Sequence, residues 1–93
     1  MTAEQFSAEY HLLERVSTGA VETHHAHASA GAMVMVHYLR GSRQENDALC
    51  ELIPRLRPEL QRKVMRTLDV DGVTVVVTRF ILDLTTFQEW LHN

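Results

Sequence analysis

The segment from Val73 to Leu84 constrains the fold of this chain more than any other segment. Its alternate positions are apolar on both sides, and the two sets are Val73, Val75, Val77 and Ile81, and Val76, Phe80, Leu82 and Leu84. A strand with one face in solvent would alternate between apolar and polar residues. The run therefore predicts one principal strand whose two faces must both be covered by other parts of the chain.

The dipeptide Asp71-Gly72, just before this strand, predicts a tight hairpin turn. Asp-Gly is favoured in two-residue hairpin turns because both central residues take positive φ angles. A turn of this kind would place Leu68 opposite Val75 and Thr67 opposite Val76.

The chain before this turn is predicted to be mostly helical. Thr2 and Gln5 form a capping-box pair ahead of apolar residues at helical spacing, which predicts a helix over about residues 3 to 17. Gly19 then suits a helix end, because glycine adopts the left-handed conformation without strain.

A second capping-box pair, Ser42 with Glu45, predicts a helix over about residues 43 to 53. Pro54 interrupts it. Pro58 suits the first turn of the next helix, which apolar residues at every fourth position extend to about residue 67.

Residues 20 to 40 are compatible with two structures. Five alanines favour a long helix with one polar and one apolar stripe, and this is the preferred prediction. In the alternative, Ser29 to Ala32 form a hairpin turn, Ala32 to Leu39 form a good strand and residues 20 to 28 form a poor one.

A short helix is predicted at the carboxyl end, capped by Thr85 or Thr86 and carrying Phe87 and Trp90. So short a helix needs tertiary packing to be stable. With 93 residues, the chain is predicted to be a single domain over residues 1 to 93. The predicted fold class is α+β, mostly helical: an amino-terminal helix, a long second helix or hairpin, two short helices, one principal strand in a small sheet and a short terminal helix.

Charge gives limited guidance to function. A formal net charge of −3 excludes a uniformly basic nucleic-acid coat. Seven of the nine basic residues nevertheless lie between residues 40 and 66, so residues 43 to 67 suggest a helix-turn-helix of a DNA-binding transcriptional regulator as one alternative. In that alternative, Arg62, Lys63 and Arg66 would meet the nucleic acid.

A cluster of histidines, His24, His25 and His27, suggests metal binding as a further alternative. In a helix, His37 would lie about 15 Å beyond His27 and could not join the cluster. In a hairpin, His24 would lie across from His37, and a shared metal becomes possible. No acidic residue or cysteine is spaced from these histidines in a way that would complete a metal site. We therefore assign neither a metal ligand nor a cofactor.

Catalytic signals are weaker still. Cys50 lies mid-helix among leucines, where a buried, unreactive thiol is expected. No phosphate-binding loop or nucleophile motif is present in the sequence, and we predict that the protein is not an enzyme.

The preferred prediction of function follows from an excess of apolar residues for so short a chain. We expect a small regulatory or adaptor protein, most simply a homodimer, that binds and masks another protein. The predicted partner-binding residues are Met33, Met35, Phe80, Leu82, Phe87 and Trp90. The single cysteine and the lack of a signal or membrane segment in the sequence predict a cytoplasmic location without membrane contact.

Overall fold

The computed structural model describes residues 1–79 and 87–91, which form a five-stranded antiparallel sheet flanked by short helices. The strands are β1 (Tyr10–Ser17), β2 (Val21–Ala28), β3 (Met33–Leu39), β4 (Val64–Val70) and β5 (Val73–Arg79). The helices are α1 (Ala3–Glu9), α2 (Arg43–Leu52), α3 (Pro58–Gln61) and α4 (Phe87–Leu91), with a 3₁₀ turn over Ile53–Arg55. The spatial order is β1-β2-β3-β5-β4, so β1 and β4 are the edge strands.

The prediction of a mostly helical domain is wrong, and residues 20 to 40 account for most of the error. The preferred long helix is wrong, and the alternative is confirmed: these residues form the β2–β3 hairpin, which pairs without interruption from Val21 opposite Leu39 to His27 opposite Met33. Helix propensity is a weak local preference that tertiary contacts override. Here Val34 and Val36 are 1% and 0% exposed in the interior of the sheet, so their burial outweighs the preference of the alanines.

Two predicted helices are also shorter than expected. The first ends at Glu9, because Tyr10 adopts an extended conformation and begins β1. The predicted helix over residues 58 to 67 stops at Gln61, and β4 begins at Val64. In both cases the chain enters a ladder with a neighbouring strand, a long-range interaction that helical spacing alone does not reveal.

The tight turn and both capping boxes are confirmed. Asp71 and Gly72 have φ angles of 49° and 86°, Leu68 pairs with Val75, and Thr67 pairs with Val76. Thr2 and Ser42 cap α1 and α2 as predicted. The predicted cover on both faces is present for the described part of the strand, since Val75, Val76 and Val77 are all 0% exposed, while its predicted continuation to Leu84 and the caps at Thr85 and Thr86 lie outside the described residues.

Each face of the sheet has its own core. On the side that we call the α1 face, Phe6 and Tyr10 pack with sheet residues that include Ala26, Val34, Val36, Val75 and Val77. On the opposite side, the α4 face, the core is formed by Val21, Leu39, Leu49, Leu56, Val76, Phe87, Trp90 and Leu91. Among the described helices, none is long and apolar enough to cross a membrane.

The amino-terminal segment ties the two edges of the sheet together across the α1 face. The Arg66 guanidinium, on edge strand β4, donates to the Glu9 carboxylate at 2.6 Å and lies 3.3 Å from the Tyr10 hydroxyl, at the start of edge strand β1. Close to the β4–β5 turn, the Asp71 carboxylate accepts a hydrogen bond from the Ala3 N–H at 2.8 Å. These contacts hold α1 and the start of β1 against the β4–β5 hairpin.

Candidate functional site

A groove of about 340 Å³ lies between α1 and the sheet. Its apolar lining includes Phe6, Leu12, Val70 and Val73, and its polar lining includes Glu22, His24, Tyr38 and Arg40. Ligand sites are commonly concave and apolar with a few convergent polar groups, and the groove has both properties. It is therefore the candidate functional site of the described residues.

The hairpin β2–β3 brings the four polar side chains together. Glu22 and His24 are two residues apart on β2 and so project from the same face of the sheet. Tyr38 lies directly opposite Glu22 on β3. Arg40 follows two residues later, and its N–H donates to the Ala20 carbonyl at 2.7 Å, which continues the pairing just beyond β3.

A short hydrogen bond joins Glu22 and His24. His24 Nε2 lies 2.7 Å from Glu22 Oε2, and because a carboxylate only accepts, the ring nitrogen donates. This bond is the main cause that lowers the pKa of Glu22, and the charge of Arg40 adds to it against the opposing effect of burial. Glu22 is thus an anion whose Oε2 is already engaged by His24.

Arg40 is held above the ring of Tyr38, with its guanidinium carbon 4.8 Å from the ring centroid. Edge contacts from His24 and Phe6, at centroid distances of 5.7 and 6.2 Å, fix the orientation of that ring. The contact between Arg40 and Glu22 is long, at 3.8 Å, and 44% of the Arg40 side chain is exposed. Guanidinium N–H groups therefore remain accessible to a ligand in the groove.

The other notable polar group, His37, is sealed inside the α4 face. Its Nδ1 is hydrogen-bonded to the Thr23 hydroxyl at 2.8 Å, and its Nε2 to the Thr78 hydroxyl at 2.9 Å. The side chain is stacked on Phe87, and the residue is only 2% exposed. Burial lowers the pKa of His37 to about 3, so the ring is neutral and structural at neutral pH.

The hairpin does not form the metal site between His24 and His37 that the sequence left possible. Thr23, and not His24, lies opposite His37. A register difference of one residue moves a side chain to the other face of a sheet, so the two histidines lie on opposite faces. Over residues 1–79 and 87–91, no group of three or more His, Cys, Asp or Glu side chains is placed to share a metal ion.

The predicted partner-binding residues have different environments. Met33 is 41% exposed at the start of β3 and stays a candidate contact. Met35, Phe87 and Trp90 are buried by the domain itself, at 6%, 4% and 6% exposure. Phe80 and Leu82 lie outside the described residues.

Residues 43 to 67 do not form the helix-turn-helix that was suggested as one alternative. Its second helix, α3, has only four residues and is followed by β4. Arg66 is on β4 and binds Glu9, while Arg62 forms the end of α3. The basic residues therefore do not line one recognition helix.

The sequence alone does not predict the groove: of its polar residues Glu22, His24, Tyr38 and Arg40, only His24 is among the candidate residues named from the sequence. The signal was the alternation on β2, where Glu22, His24 and Ala26 share a face, but it has meaning only once the hairpin is accepted. The sequence matches no family model, and comparison with curated proteins and with solved structures gives no match.

Proposed function

We propose that this protein is a small, non-enzymatic regulatory or adaptor module that binds a segment of another protein in the groove beside α1. The segment would place an aliphatic or aromatic side chain against Phe6, Leu12 and Val73, and a carboxylate against Arg40. The bound segment would fill the groove and be masked from other molecules, without any chemical reaction.

The accessible guanidinium of Arg40 is the observation that carries this proposal. Glu22 is engaged by His24 at 2.7 Å, and the Asp71 carboxylate accepts from the Ala3 N–H at 2.8 Å. Both acids that line the groove are thus already hydrogen-bonded, whereas Arg40 has only a long contact with one of them. An arginine held over an aromatic ring presents several donors in a fixed plane, which suits a carboxylate.

The groove can be tested with a displayed library of random peptides selected against the whole protein. We expect enriched peptides to share an apolar residue beside Asp or Glu. Measured by fluorescence anisotropy, Arg40→Ala should weaken binding of a selected peptide at least tenfold, and Arg40→Lys should restore only part of the affinity because lysine lacks the planar fork.

Arg43→Ala is the matched control, because the Arg43 side chain is 96% exposed on α2 and lies outside the groove. Circular dichroism of each variant establishes that the fold is retained. The proposal fails if no peptide is enriched, if the enriched peptides lack an acidic residue, or if Arg43→Ala weakens binding as much as Arg40→Ala.

Location and self-association belong to the same proposal. The free thiol of Cys50 supports a reducing compartment such as the cytoplasm. A homodimer formed by strand addition would use β1 or β4, because both edges of β2, β3 and β5 are already paired within the sheet. Exposed apolar residues lie at both edges: Leu13 and Val16, 47% and 37% exposed, on β1, and Met65, 43% exposed, on β4. Light scattering over a dilution series tests whether dimers form.

A further inference from the structure

A row of three potential metal ligands crosses three neighbouring strands on the side of the sheet opposite the groove. His11 on β1 lies directly opposite His27 on β2, and His27 lies directly opposite Met33 on β3. The preceding pair on β1 and β2, Tyr10 with Ala28, packs in the core of the α1 face. Because side chains alternate along a strand, His11, His27 and Met33 all project from the α4 face.

All three side chains are open to solvent. His11 and His27 are exposed, and Met33 is 41% exposed, although methionine is usually buried. Directly opposed residues of antiparallel strands have Cβ atoms about 4.5 to 5.5 Å apart. Two imidazoles at this separation can approach one metal ion at bond lengths of about 2 Å.

The chemistry of this donor set favours one metal. Thioether sulfur and imidazole nitrogen suit copper(I), whereas magnesium and calcium require oxygen ligands. The row itself contains no carboxylate. We propose that His11, His27 and Met33 form a surface site for copper(I), with two nitrogen ligands and one sulfur ligand.

An anaerobic titration of the whole protein with copper(I), in competition with a chromophoric copper(I) chelator, tests this site. We expect one equivalent to be bound, and X-ray absorption spectra of the loaded protein to show both nitrogen and sulfur neighbours. His11→Asn and Met33→Leu should each weaken binding at least tenfold. Both substitutions change exposed side chains, so we expect the fold to be retained.

Met65→Leu is the matched control, because Met65 is similarly exposed, at 43%, on β4 at the other edge of the sheet. It should leave copper affinity unchanged. The proposal is overturned if the chelator removes all copper, if Met65→Leu weakens binding as much as Met33→Leu, or if the spectra show no sulfur neighbour. Peptide binding to the groove is measured without metal, so the two proposals succeed or fail independently.

Discussion

The imidazole of His37 lies nearly parallel to the ring of Phe87, with the ring centroids 4.0 Å apart and the planes inclined by 15°. The same imidazole bridges Thr23 on β2 and Thr78 on β5. Phe87 therefore covers a hydrogen-bonded polar group at the centre of the sheet, in addition to filling a hydrophobic core. The helix α4 and the three inner strands are coupled through this one side chain.

Replacing Phe87 should be among the most destabilising changes in the chain. Phe87 is 4% exposed, and Phe87→Ala would leave a cavity and open His37 to water. We expect a loss of about 3 to 5 kcal/mol in the free energy of unfolding, measured by urea denaturation. Phe87→Leu, which refills part of the space, should lose less. A loss below about 1 kcal/mol for Phe87→Ala would contradict the packing described for α4.

Acid should destabilise the protein through His37. The pKa of this residue is lowered from 6.5 to about 3 in the folded state, so between these values the unfolded chain binds a proton that the folded chain does not. The free energy of unfolding should therefore fall as the pH drops below 6.5, by up to about 1.4 kcal/mol per pH unit. His37→Gln removes this contribution, and the difference between the two proteins should shrink on acidification.

Nuclear magnetic resonance gives a second measurement of the same property, in the native protein. The ring proton signals of His37 should not titrate between pH 7 and about pH 4, whereas an exposed histidine titrates near its ordinary pKa of about 6.5. A His37 signal that titrates near pH 6 would contradict the burial of this side chain.

Neighbouring residues predict some elements of this fold, whereas other elements depend on contacts between distant parts of the chain. The Asp71-Gly72 turn and the capping boxes of Thr2 and Ser42 depend on neighbouring residues, so the sequence predicts them directly. The β2–β3 hairpin depends on burial between α1 and α4, which no window over residues 20 to 40 contains. The groove cannot be predicted from local sequence for the same reason, because Glu22 and Tyr38 become neighbours only when β2 pairs with β3.

The turn between β4 and β5 should be sensitive to substitution of Gly72, because the backbone there has a positive φ angle. Gly72 has a φ angle of +86°, and a Cβ atom there would meet nothing within 4 Å, so only the backbone conformation opposes a side chain. Gly72→Ala should cost about 1 to 2 kcal/mol in thermal or urea unfolding. Gly72→Asn should cost less, since asparagine tolerates positive φ better than alanine. Equal stability of Gly72→Ala and the wild type would rule out this turn geometry.

The ion pair between Glu9 and Arg66 should contribute little to the free energy of unfolding, despite the short distance between its atoms. Their side chains are 44% and 39% exposed, so solvent and salt screen the pair. A double-mutant cycle with Glu9→Gln and Arg66→Met should give a coupling energy of about 0.2 to 1 kcal/mol that declines at high salt. The pair Arg43 and Asp47, 4.0 Å apart and largely exposed, should give a smaller coupling. Coupling above about 2 kcal/mol would mean that Arg66 is far better shielded than its exposure indicates.

The way the amino-terminal segment closes over the α1 face sets an order for folding during synthesis. Glu9 and Ala3 bind residues 66 and 71, so their partners are translated some sixty residues after them. The strands β1, β2 and β3 are adjacent in both sequence and space, and they can pair as soon as they leave the ribosome. Helix α1, the first element made, can complete its contacts only after the β4–β5 hairpin has been added to β3. Until then Phe6 and Tyr10 can pack on Ala26, Val34 and Val36, but the part of this core formed by Val70, Val75 and Val77 is still missing. Partly covered apolar surface of this kind favours aggregation of folding intermediates.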